Sequence, residues 1–127
     1  MRHYRVTFGD ALEAHRTALT KGGGRIGLLS ENNLLSALAR PYTGYYRPIA
    51  TKSAALLHSM VKNHPFVDAN KRTAWLVMTL LIARSGYDLV LQPTDRIDDF
   101  VVDVADDRLD FTEIQKWIKA RLQKSDA

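Results

Sequence analysis

The chain has 127 residues, 46% hydrophobic and 25% charged, which suits one compact domain able to bury its own core, spanning 1–127. It has no cysteine, which excludes disulfides and thiolate metal sites and makes a reducing cytoplasm the expected compartment; no apolar stretch follows the basic Met1–Arg5 segment, as a secretory signal would require. A net charge of +4 favours acidic partners without choosing among nucleotide phosphates, nucleic acid or an acidic protein surface.

The first helical period runs from about Phe8 to Leu19, with Ala11, Leu12, His15 and Leu19 on one face and Thr7 as N-cap. Gly22-Gly23-Gly24 reads as its terminator and a loop. It has neither the strand before nor the helix after that a phosphate-cradling glycine loop needs. Ser30 caps a second helix carrying Leu34, Leu35 and Leu38, which ends before Pro41. Tyr42 to Pro48 is a tyrosine-rich loop or short hairpin, and a third helix spans about Thr51 to Lys62, with Ala54, Ala55, Leu57, Met60 and Val61 as its apolar set.

The helix from about Ala69 to Ser85 is apolar all round: between Ala74 and Ala83 only Thr79 is polar. Such a helix is expected to be buried on all sides, and it is too short to cross a membrane. Gly86 closes it, and Tyr87 to Leu91 is extended. Thr94 or Asp95 caps a helix through Ile97, Phe100, Val101 and Val104. Thr112 and Gln115 form a capping box for a last helix with Ile114, Trp117, Ile118 and Leu122. No set of strands makes a sheet core, so the class is all-α, a bundle around one buried central helix.

The chemistry gathers in His64-Pro65-Phe66-Val67-Asp68-Ala69-Asn70-Lys71-Arg72-Thr73, a loop feeding the N-terminus of that helix. Pro65 keeps His64 out of helical conformation. Asp68 is placed to cap the helix. The amides of Ala69, Asn70 and Lys71 and the helix dipole form an anion site, to which Asn70, Lys71 and Arg72 add donors. Cations here oppose the dipole unless a phosphate sits between them. A histidine nearby can accept a proton at neutral pH, and a carboxylate beside phosphates can hold Mg²⁺. Each feature has an ordinary meaning alone: a turn, a cap, a solvated pair of cations. Together they suit phosphoryl or nucleotidyl transfer.

This stretch resembles the Fic motif H-P-F-x-[D/E]-G-N-G-R, and more closely its Doc variant with Asn-Lys-Arg. The likeness extends over roughly Tyr4 to Leu122, through the glycine run, Leu35 to Pro41, Ala54 to Leu57 and Ser85-Gly86-Tyr87. The resemblance implies that His64 is the base that deprotonates a target hydroxyl and that Phe66 anchors the loop. It implies that Asp68 is the Mg²⁺ ligand, and that Ala69, Asn70, Lys71 and Arg72 bind the phosphates of ATP. Tyr42, Tyr45 and Tyr46 would then belong to the flap that aligns the target chain.

Lys71 stands where AMP-transferring members carry glycine. By resemblance to Doc, it accompanies an inverted nucleotide and transfer of the γ-phosphate to a Ser/Thr hydroxyl of a translation factor such as elongation factor Tu. AMP transfer is the alternative. The self-inhibitory motif [S/T]-x-x-x-E-[G/N] is missing, since its nearest string, Gly27 to Asn32, begins with the wrong residue. Inhibition in cis is therefore not expected, and the resemblance to Doc implies an antitoxin of the Phd kind, acting in trans. From another class, the rivals are an inactive Fic fold or a nucleic-acid-binding module using Lys116, Lys119, Arg121 and Lys124. Trp117, Ile118 and Leu122 interleave with those cations as a core face, so direct nucleic-acid binding is not expected, nor is a membrane partner. The histidines do not fall at zinc-ligand spacings, His58 reads as an ordinary helix residue, and Asp98-Asp99 and Asp106-Asp107 read as solvated surface.

Overall fold

The computed structural model describes residues 2–126. Six α-helices carry the fold: α1 (Phe8–Gly22), α2 (Glu31–Ala39), α3 (Ile49–Asn63), α4 (Asn70–Arg84), α5 (Ile97–Ala105) and α6 (Phe111–Lys119). A 3₁₀ turn at Arg40–Tyr42 follows α2. Two three-residue strands, β1 (Tyr87–Leu89) and β2 (Leu122–Lys124), pair antiparallel with Leu89 opposite Leu122. The all-α class holds, and the strands only tie the end of α6 to the exit of α4. No helix among the described residues is long and apolar enough to cross a membrane.

The most enclosed helix is α3, not α4. It touches α2, α4, α5 and α6 and buries Ser53 to Leu57 without a break, then Ser59, Met60 and Val61. Alanines and serines let its neighbours approach from several sides. By contrast, α4 buries one stripe at helical spacing, Thr73, Ala74, Val77, Met78, Leu81 and Ile82, and leaves Trp75, Leu76, Thr79 and Leu80 only half-buried. Its apolar outer face is partly covered by α5 and by the segment after it.

Local chemistry explains the helix ends. Thr7 and Asp10 form a reciprocal capping box on α1, and the Ser30 hydroxyl accepts from the Asn33 amide on α2. Three sequence expectations need correction here. The cap of α6 is Asp110, boxed with Glu113, rather than Thr112 with Gln115. Asp95 does not cap α5; it accepts two hydrogen bonds from Arg121, whose guanidinium lies 3.9 Å from the centre of the Trp117 ring. Leu122 belongs to β2, beyond the end of α6. Around that ion pair, Phe100 stacks on Trp117 at 3.8 Å and Trp75 meets both edge-on, which locks α4, α5 and α6 together.

Candidate active site

The polypeptide leaves α3 through His64, whose backbone is left-handed (φ 49°, ψ 57°). Left-handed backbone costs a residue with a side chain roughly 1–2 kcal/mol, so its surroundings must hold it. Asn33 and Asn63 do so on one side, each side-chain amide donating to the other's carbonyl. His64 itself is exposed. Ala69 is also left-handed (φ 62°) and forms the N-cap of α4. This is the physical reason the position favours glycine, and alanine meets it with the smallest side chain that carries a Cβ.

Between them, Phe66 is fully buried and its ring stacks flat on His15 of α1, 3.9 Å between centroids. The His15 Nε2 lies 3.1 Å from the Asp68 carbonyl oxygen, which can only accept, so Nε2 carries the proton. His15 therefore braces the loop from beneath, a role its sequence position alone did not reveal. Asn70 is the second brace. Its Oδ1 accepts from the Phe66 amide at 2.9 Å and its Nδ2 donates to the Phe66 carbonyl at 2.8 Å, so this buried side chain braces the loop. One Nδ2 proton and the Asn70 backbone amide remain beyond these two bonds, and Asn70 lines the adjoining cleft.

Asp68 does not cap α4. One carboxylate oxygen accepts from its neighbour's amide at Ala69, and the other accepts from the Arg25 amide across the site. The Arg25 and Ala69 amides hold its carboxyl below the usual carboxylate range. The glycine run also proves to be more than a terminator. A Cβ on Gly22 would overlap the Arg72 guanidinium, and one on Gly24 would press on the Asp68 carboxylate. Arg72 donates to the carbonyls of Ala18 and Gly23, two acceptors at the C-terminal end of α1. Two of its five N–H groups are thus engaged and three remain. Ala69 supplies no side-chain cap, so the first-turn amides of α4 (Asn70, Lys71 and Arg72) stay open to an anion.

These residues line a cleft of about 820 Å³ between the N-terminus of α4, the last turns of α1 and α3, and α5. Lys21, Lys62, Lys71 and Arg72 make it cationic, while Trp75, Val101 and Ala105 give it an apolar wall. That size and mixture suit a small organic anion. The predicted His64, Asp68, Ala69, Asn70, Lys71 and Arg72 all meet here. Lys21, Lys62 and the α5 wall were not legible, because they come from elements remote in sequence. Asp98, read as plain surface, also lines the cleft.

The expected flap does not belong to the site. Tyr42, Tyr45 and Tyr46 precede α3, whereas His64 follows it, and a fifteen-residue helix separates its ends by about 22 Å. The segment has no strand. Tyr42 is an internal strut, its hydroxyl donating to the Tyr4 carbonyl and accepting from the Val6 amide, and burial pushes its phenol pKa up. The Tyr46 hydroxyl accepts from Arg40. The backbone beside the motif is instead Arg25 to Leu29. Leu28 bridges antiparallel to Phe66, the Val67 amide donates to Gly27, and the Leu29 and Ser30 amides donate to the Pro65 carbonyl. Ile26 and Leu29 are exposed there. The sequence signal was a glycine run leading into unpatterned apolar residues before a capped helix.

The family model of the Fic/DOC family matches residues 5–82. The chain belongs to the Fic/DOC family. It is also 36% identical over 89 residues to a protein named Toxin Doc from Mycolicibacterium smegmatis (strain ATCC 700084 / mc(2)155), an alignment covering 65% of this chain and 68% of the relative. The named relative adds the Doc branch, which the Asn-Lys-Arg stretch suggested, to the family match.

Proposed function

We propose that this Fic/DOC protein is a toxin-type kinase that moves the γ-phosphate of ATP onto a serine or threonine hydroxyl of a translation factor resembling elongation factor Tu. The observation that carries the reading is Lys71 at the first turn of α4, lining one cleft with His64, Asp68 and the open helix end. An ammonium there adds positive charge to amides that already point at an anion, and its side chain fills space that glycine would leave for a differently oriented nucleotide.

In the reaction, the target oxygen forms a bond to the γ-phosphorus while the bond from that phosphorus to the β–γ bridging oxygen breaks, and ADP leaves. The hydroxyl proton passes to the His64 imidazole, which its exposed position at the cleft lets a protein chain approach. The α4 amides, Lys71 and the remaining Arg72 donors hold phosphate oxygens, and the Trp75 side of the cleft takes the apolar part of the nucleotide. Asp68 fits as a holder of Mg²⁺: it is ionised, its amide partners leave lone pairs on both oxygens, and Mg²⁺ commonly takes one or two carboxylates together with substrate phosphates. Bound there, the ion would neutralise phosphate charge. The relative named Toxin Doc supports a toxin role; a cytoplasmic setting and restraint by a Phd-like antitoxin in trans are part of the same proposal.

The test is intact-mass spectrometry of elongation factor Tu after incubation with this protein, ATP and Mg²⁺. A phosphate-sized gain is expected, and His64→Ala should slow it by about 10²–10⁴-fold. An AMP-sized gain would keep the base and reverse the nucleotide. Undiminished transfer by His64→Ala would remove the proposed base.

A further inference from the structure

A second cleft, of about 570 Å³, lies around the start of α3, at the opposite end of that helix from His64. Arg2, His3, Arg5, Tyr46, Arg47 and Lys52 line it, and no carboxylate does. Among the described residues none of Arg2, Arg5, Arg47 or Lys52 makes an ion pair, although most other arginines on the surface do. The first turn of α3 adds no acidic residue. Lys52 donates to Nδ1 of His3 at 3.0 Å, which requires a neutral imidazole, and burial together with Lys52 pushes the His3 pKa down. Gathering cations without a counter-charge is unfavourable in the free protein, and an anion relieves it.

The aromatic content narrows the anion. Tyr45, between the lining residues Gly44 and Tyr46, is 84% exposed and touches Tyr46 edge-on. Arg5 lies 4.8 Å from the centre of the Tyr42 ring, so its guanidinium is held on a rigid strut. A cationic groove with an exposed aromatic face is the arrangement that binds single strands, phosphates in the groove and a base on the ring. An acidic peptide would use the cations and leave the ring idle. We propose that this cleft binds single-stranded nucleic acid, with backbone phosphate among Arg5, Arg47 and Lys52 and a base stacked on Tyr45. This site differs from the α6 cations weighed above, and it does not depend on the transferase reading.

The experiment is fluorescence anisotropy of a short labelled oligouridylate with the full chain. Engaging three or four cations predicts that affinity falls about 20- to 50-fold between roughly 50 and 200 mM salt, from a slope of about 0.7 per phosphate on single strands. Arg47→Glu with Lys52→Glu should weaken binding at least tenfold. Lys116→Glu with Lys119→Glu, the same charge change on exposed positions of α6, should weaken it far less. Tyr45→Ala should cost about fivefold or more with the salt slope unchanged. Equal losses in the two charge variants would reduce the effect to general attraction and overturn the site. Full affinity in Tyr45→Ala, or equal binding by a glutamate-rich peptide of matched charge, would refute nucleic acid as the ligand.

Discussion

Asn70→Ala should cost far more than a surface amide does. Its side chain closes two hydrogen bonds, of 2.9 and 2.8 Å, on the amide and carbonyl of one fully buried residue, Phe66. Removing it orphans both groups, each at about 1–3 kcal/mol. Some relaxation of the loop is expected, so a loss of about 3 kcal/mol is the working figure. With an unfolding entropy near 2.1 cal/mol/K per residue, 127 residues give about 0.27 kcal/mol/K, hence a fall of about 11 °C in Tm.

Asn70→Asp sharpens the test. Its neutral carboxyl can accept from the Phe66 amide and donate to the Phe66 carbonyl, but the ionised form sets acceptor against acceptor. The folded pKa of the introduced group should therefore rise above its unfolded value of about 3.9. Stability is then retained below that unfolded pKa and lost as pH rises through the folded one. Thermal melts of wild type and both variants at about pH 4 and 7 provide the assay. A shift under about 3 °C for Asn70→Ala, or an Asn70→Asp deficit no smaller in acid, would refute the bracing argument.

Three further outcomes follow from the same geometry. Gly22→Ala gains up to about 1 kcal/mol in helix propensity but displaces Arg72 from two carbonyls, and a net loss of about 1 kcal/mol is expected in urea titrations; a more stable variant would contradict it. His15→Phe keeps a ring against Phe66 yet leaves the Asp68 carbonyl without its donor, costing about 1 kcal/mol, whereas His15→Ala loses the stack as well and should cost about 2–4 kcal/mol; no loss in His15→Phe would show that the hydrogen bond is irrelevant, and equal losses that the stack is. Because the folded Asp68 pKa is lowered, its hold on the Arg25 amide is complete above the unfolded value of about 3.9 and is lost as pH falls through the folded one. The Arg25 amide shift, followed by NMR, should therefore titrate with a midpoint below that value, and a midpoint at or above it would remove the strap.

What could be read from the chain alone was local. Apolar residues at helical spacing announced the helices, Thr7 and Ser30 announced two caps, and the ordered run from His64 to Thr73 announced the motif, because each depends on residues a few positions apart. Tertiary structure decided which partner each group found. A continuous apolar run made α4 look like the enclosed helix, yet the small residues of α3 allowed closer packing on more sides. Asp95 could be a cap by sequence, and Arg121, distant in the chain, claimed it instead. The tyrosine loop resembled a docking flap until the length of α3 set it at the far end of the molecule from His64. Asn70, Asp68 and Arg72 were recognised as site residues by their order, but how much of each side chain remains available depends on Phe66, Arg25 and the carbonyls ending α1. Those contacts join segments separated by as many as 54 residues, a pairing that local periodicity does not encode.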